Sequence, residues 1–346
     1  MEWDKDEAKS SDMIDQRGAG DPAGGLGGLG DVLGGALGGA GGGGAGGGAL
    51  GGVLGGMFGG KGRKGGVVGV LLVLAAVFIL PKIMSGGGFD VSTAGLDNLP
   101  GMSGGGALPG SGDATDASLP AADDPDPKLT QFANVLITDT NDVWEQQFAE
   151  ASKRYDRTKL VLFPGGVNTA CGQASSDMGP FYCPGDQRVY IDLTFFEELA
   201  TRFGAAGDFA QAYVIAHEVG HHVQNELGIS AQVRRLEEDD PGAANGPDGL
   251  SVRTELQADC LAGVWAHTRY ERGQSDPTKR LDDGDIDEAL RAAAGVGDDS
   301  IQKSATGRVN PEGFTHGTSA QRSRWFKKGY DSGDSEQCDT FSTDSL

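Results

Sequence analysis

The chain has 346 residues, 50 acidic against 28 basic, for a formal net charge of −22. A surface of that sign repels a phosphate backbone, so DNA and RNA are excluded as partners. Sixty glycines also exclude one globular unit over the whole length, because glycine-rich stretches bury too little apolar surface to offset the entropy of ordering them.

Residues 1–64 contain the densest runs, such as GGALGGAGGGGAGGG, and read as a disordered cytoplasmic tail. Residues 65–80, GGVVGVLLVLAAVFIL, are uncharged and apolar throughout. That is short for a membrane span, which needs about 20 residues. Lys82 can snorkel and draw in Ile83 and Met84, so 65–84 reads as a single transmembrane anchor. A cleaved signal peptide is the competing reading, opposed by the long stretch that precedes the apolar core. Lys61, Arg63 and Lys64 lie before the core and only Lys82 just after it. Positive-inside then places the N-terminus in the cytoplasm and the C-terminal domain outside the cytoplasmic membrane.

Residues 85–127 are mostly Gly, Ser, Pro and Asp, the composition of a flexible linker. Apolar periodicity begins at Leu129, so 128–346 is expected to form one exported domain. A helix is expected over 142–155, with Val143, Phe148 and Tyr155 among its apolar positions, and short strands over 159–163 and 188–193. Helices follow over 194–203 and 208–227, the second stopped by Gly228. An acidic loop over 237–249 leads to further helices over 251–270, 284–297 and 319–330. The fold class is therefore α+β, mainly helical with a small β element. Four cysteines, an even number in an exported domain, favour two disulfides out of three possible pairings. Cys171 with Cys183 closes a short turn-rich loop and leaves Cys260 with Cys338. A thiolate zinc site needs close C-x2–4-C pairs, and the sequence has none.

The chemistry concentrates in AHEVGHHVQNELG, residues 216–228. His217 and His221, four apart on a helix, stand one turn above the other on one face and can share a zinc ion. Glu218 leans toward the same metal's water. H-E-x-x-H arises by chance in on the order of 1% of chains this long, so the next helix matters. There, ELQAD sets Glu255 and Asp259 four apart, on a segment otherwise too apolar to bury two carboxylates without a cation or donor. Glu255 is the candidate third ligand, and Asp259 the group that receives an N–H from a ligand histidine. The rival H-E-x-x-H-x-x-G-x-x-H geometry is excluded, since Gln224 and Leu227 occupy its last two positions. His222 points about 100° away and reads as a packing residue; His267 reads as structural. His316 lies just before the last helix and Arg322 inside it, so both are candidates to stabilise developing negative charge. The alternative for His316 is a helix-capping role.

These segments, together with GPFYCPGDQRVYIDLTFF, GDIDEAL and FTHGTSAQRSRWFKKGY, resemble the bacterial neutral zinc metallopeptidase family, single-pass membrane proteins with an exported domain. SSDMIDQRG near the start resembles that family's opening motif. The resemblance implies a zincin-like fold in the gluzincin arrangement: His217, His221 and Glu255 on Zn2+, Glu218 as base, Asp259 behind the ligands. THGTSAQR also resembles the Thr-His…Arg segment of membrane gluzincins, where the histidine assists at the oxyanion, although those enzymes usually have proline where this chain has Gly317. The expected function is a membrane-anchored endopeptidase acting on proteins or peptides outside the cytoplasmic membrane. The alternative is a catalytically silent, zinc-stabilised binding or envelope-assembly module, which would need ligands but no base.

Overall fold

The computed structural model describes Met1, Trp3, residues 10–18 and residues 123–346. The apolar segment 65–84, the glycine runs and nearly all of the linker lie outside these residues. Among the described residues no helix is long and apolar enough to cross a membrane.

The first helix, α1 (Pro127–Glu150), starts well before residue 142. Asp126 caps it by accepting the Leu129 N–H, and Pro127 at its first turn needs no partner for the N–H it lacks. It ends before Tyr155, whose hydroxyl instead donates to Asn141 Oδ1 at 2.9 Å from beyond the helix. Strands β2 (Lys159–Leu162) and β6 (Arg188–Ile191) are parallel neighbours, and β5 (Phe181–Cys183) runs antiparallel on the outer side of β6. Between them β3 (Gly166–Thr169) and β4 (Gly172–Ser175) form a separate hairpin. Alternation along the strands divides their side chains. Leu160, Leu162, Val189 and Ile191 join the helical core, while Val161, Phe163, Phe181 and Tyr190 form a second cluster on the other face.

The fourth strand of this sheet is β1 (Met13–Asp15), parallel to β2 with Ile14 opposite Val161. This corrects the reading of 1–64 as a uniformly disordered tail. The segment has a buried apolar residue in Ile14 and two partners for its charges: Asp12 pairs with Arg157, and Arg17 with Asp15 and Asp124. Asp124 also lies inside the stretch assigned to the linker, so the folded unit begins before residue 128.

After β6 come α2 (Phe195–Thr201), α3 (Asp208–Glu226) and α4 (Ile229–Asp239). Gly228 stops α3 as expected, and its left-handed φ of 75° also turns the chain straight into α4, which the sequence reading left unassigned before the acidic loop. Helix α5 (Leu250–Gly273) is buried along most of its length between α3 and α8 (Ser319–Ser332). Helices α6 (Asp285–Gly295) and α7 (Asp298–Thr306) close the same side, α7 being a second helix the sequence reading missed. Both expected disulfides are present, Cys171–Cys183 and Cys260–Cys338, the latter tying α5 to the C-terminal segment.

Candidate metal centre

Helices α3 and α5 approach closely because Gly220 has no side chain: a Cβ there would lie 3.0 Å from the Ala258 carbonyl oxygen. The approach brings the two halves of the expected site together. His217 Nε2 lies 3.1 Å from Glu255 Oε2, and His221 Nε2 lies 3.4 Å from Glu255 Oε1. Ligands about 2.0–2.1 Å from one tetrahedral zinc stand roughly 3.4 Å apart, so the three side chains have the spacing the metal requires. All three are buried. Glu255 Oε1 is buried without a hydrogen bond, and so are Glu218 Oε2 and His316 Nε2. Three such atoms around one cleft indicate a polar occupant in place of apolar packing. The donor set, two imidazoles and a carboxylate, is that of a catalytic zinc site, which keeps a fourth position for water or substrate.

Behind the ligands, Asp259 fixes the ring of His217, accepting from Nδ1 at 2.9 Å. The same carboxylate accepts from Tyr213 Oη at 2.5 Å and from Arg322 Nε and Nη2 at 2.8 and 2.9 Å. His221 Nδ1 lies 2.9 Å from Gln224 Oε1, and the Gln224 amide donates to Thr254 O and Gln257 Oε1. Each ligand ring is thus turned so that Nε2 faces Glu255. Burial opposes protonation of His217, yet Asp259 and Glu255 raise its pKa to about 9. A zinc ion would displace that proton. Burial also pushes Glu255 up, and the charges and hydrogen bonds of the adjacent histidines bring it well below the ordinary carboxylate range. Glu218 is raised by burial.

His217, Glu218, Glu255, His316 and Arg322 line one open cleft. Arg322 donates to Asp259, Tyr213 and the Val296 carbonyl, and its Nη2 also lies 3.4 Å from the His217 ring nitrogens and 3.7 Å from Glu255 Oε2. His222 turns away as expected, with Nδ1 3.0 Å from Tyr182 Oη and Nε2 2.6 Å from the Asp156 carbonyl. His267 contacts the Tyr330 carbonyl at 2.6 Å, outside the cleft.

Three contributors escaped the sequence reading. Tyr213 lies inside the helix expected over 208–227 with no role attached to it, and Gln224 enters only as the residue that breaks a rival motif. Asp298, the first residue of α7, accepts the backbone N–H groups of Thr315, His316 and Gly317 and faces His316 Nδ1 at 3.3 Å. The Gln224 spacing to His221 (i, i+3) was the one local signal available.

A mainly helical domain with a small sheet, two facing helices carrying H-E-x-x-H and E-x-x-x-D, and a His2Glu donor set define the class of zinc peptidase-like proteins. The chain belongs to the putative neutral zinc metallopeptidase family, whose profile matches residues 1–341. It is 51% identical over 214 residues to the uncharacterized protein YpfJ of Escherichia coli K12, covering 62% of this chain and 72% of that one. It is also 51% identical over 197 residues to the uncharacterized protein Rv2575 of Mycobacterium tuberculosis H37Rv, covering 56% and 65%. No solved structure matches the chain.

Proposed function

We propose that the protein is a zinc-dependent endopeptidase with His217, His221 and Glu255 as metal ligands and Glu218 as general base. Glu218 is the observation that carries this reading. It is buried, one carboxylate oxygen has no partner, and it faces the same cleft as His217 and Glu255. A silent zinc module has no use for an orphaned base, and burying one costs stability. When bound, zinc polarises the scissile carbonyl and makes water acidic enough to lose a proton near neutral pH. Glu218 accepts that proton and returns it to the leaving amine, a transfer suited to a carboxylate whose pKa burial has raised. His316 directs its unpartnered Nε2 at the developing oxyanion, held in place from behind by Asp298. Arg322 and Tyr213 hold Asp259, and Asp259 holds His217.

The cleft walls include Met178, Pro180, Phe195, Phe203, Val214 and Ile301, which favour peptides presenting a large apolar side chain. The two disulfides support an oxidising, extracytoplasmic setting for the domain. The test is metal analysis of the purified full chain with cleavage of a peptide library, with and without chelator. Glu218→Gln should retain zinc and fold while hydrolysis drops by roughly 10²–10⁴, the contribution of a general base. Cleavage of the same peptides by Glu218→Gln at the parent rate would remove the mechanism.

A further inference from the structure

Strand β1 lies 147 residues before its partners in β2 by the register Ile14 to Val161, yet it completes the sheet edge of the same domain. The docking is specific. Gln16 N–H donates to Leu162 O at 2.8 Å, Ile14 is buried beside Val161, and Trp3 packs on Phe132 with ring centroids 4.5 Å apart. Arg157 receives Asp12 from the N-terminal segment alongside Asp142 and Glu145 of the domain. Without β1, the outer side of β2 would present a row of unpaired backbone groups.

One contact is decisive for topology. Arg17 and Asp124 form a two-pronged ion pair, each N–O distance 3.1 Å, with both side chains largely buried. Arg17 and Asp124, which flank residues 18–123 in the chain, therefore lie at the same place. The hydrocarbon core of a bilayer is about 30 Å thick, so two groups in hydrogen-bond contact cannot lie on opposite faces of it.

We infer that the N-terminal segment carrying β1 and the domain from residue 123 occupy one side of the membrane, which a single crossing between them does not allow. This replaces the single crossing, with a cytoplasmic N-terminus, that the lysine and arginine distribution implies. The conclusion is the same if β1 comes from a second copy of the chain, since that strand must also reach the domain. Electrostatic bias around one apolar core orients a segment during insertion; it does not override a strand that is part of the fold.

The test uses the full chain in its host membrane with single cysteines at Ser11 and Ser304, both exposed. All four native cysteines are in disulfides, so they do not react with a membrane-impermeant maleimide. Ser11→Cys and Ser304→Cys should label together, both before or both only after permeabilisation. Labelling of one in intact spheroplasts and of the other only after permeabilisation overturns the inference. Ile14→Asp, which places a charge against Val161, should lower the Tm of the purified full chain by roughly 5 °C or more. An unchanged Tm would show that β1 is not part of the fold in solution and would equally overturn it.

Discussion

Asp259 accepts from an imidazole, a phenol and a guanidinium at once, and this concentration of donors keeps its carboxylate ionised in a fully buried position. Burial raises its pKa, but Arg322 and His217 more than offset that. Asp259→Asn keeps the volume and loses the charge, so zinc affinity should fall about 10–100-fold in competition with a chelator. Glu255→Ala should lose the metal outright, whereas His222→Ala should keep it, because His222 packs against Tyr182, Tyr155 and the Asp156 carbonyl, away from the ligands. Asp298 provides the pH-dependent counterpart. Burial pushes its carboxyl up, yet His316 and the backbone N–H groups bring it below the ordinary value of 3.8. A depressed carboxyl contributes stability that is present above its unfolded pKa and lost as pH falls below it. The stability difference between the parent and Asp298→Asn should therefore be constant above about pH 5 and shrink below about pH 4 in urea unfolding. The ligands were legible because i, i+4 spacing is a property of a single helix. Tyr213 and Asp298 were not, because their partners lie 46 and 18 residues away, and helix periodicity carries no information about such contacts.

At the level of elements, the site depends on how closely helices pack around α5. A Cβ at Gly329 of α8 would come within 1.9 Å of the Cys260 carbonyl oxygen, and one at Gly263 within 2.1 Å of the Phe326 carbonyl oxygen. The obstructing atoms are backbone, so no side-chain rotation relieves the clash and the helices must separate. Gly329→Ala should destabilise the domain by at least about 1–3 kcal/mol, the ordinary range for overpacking, and should reduce zinc occupancy because Arg322 rides on the displaced α8. Differential scanning calorimetry and metal analysis read the two effects separately. Helix faces such as that of α3 were evident from their apolar period. Strands β1 and β5, of three residues each, and the polar β4 carry too little apolar alternation to separate from loop, and the partners of β1 lie 147 residues away in sequence.

For the whole molecule, the two disulfides differ in what they close and in what they hold. Cys171–Cys183 spans 12 residues, from the turn of the β3–β4 hairpin to the end of β5, and Cys260–Cys338 spans 78 residues and joins the C-terminal segment to α5. Constraint of the unfolded chain grows with loop length, giving about 3 kcal/mol for the first and about 4.5 kcal/mol for the second. The longer bridge is also next to the site: Cys260 follows Asp259 directly, and Gln257, which accepts from Gln224, donates to the Cys338 carbonyl at 3.0 Å. Its loss should therefore loosen the support of His221 as well as the fold. Paired alanine replacement of Cys260 and Cys338 should lower Tm by roughly 9–18 °C, against roughly 6–12 °C for Cys171 and Cys183, at about 2–4 °C per kcal/mol for a domain of this size. Zinc affinity should fall in the first variant and be unchanged in the second, because the shorter bridge touches none of the groups that orient the ligands. Equal melting shifts, or loss of metal on removing the short bridge, would mean that α5 is held by its helix contacts alone and that the C-terminal segment contributes nothing to the centre.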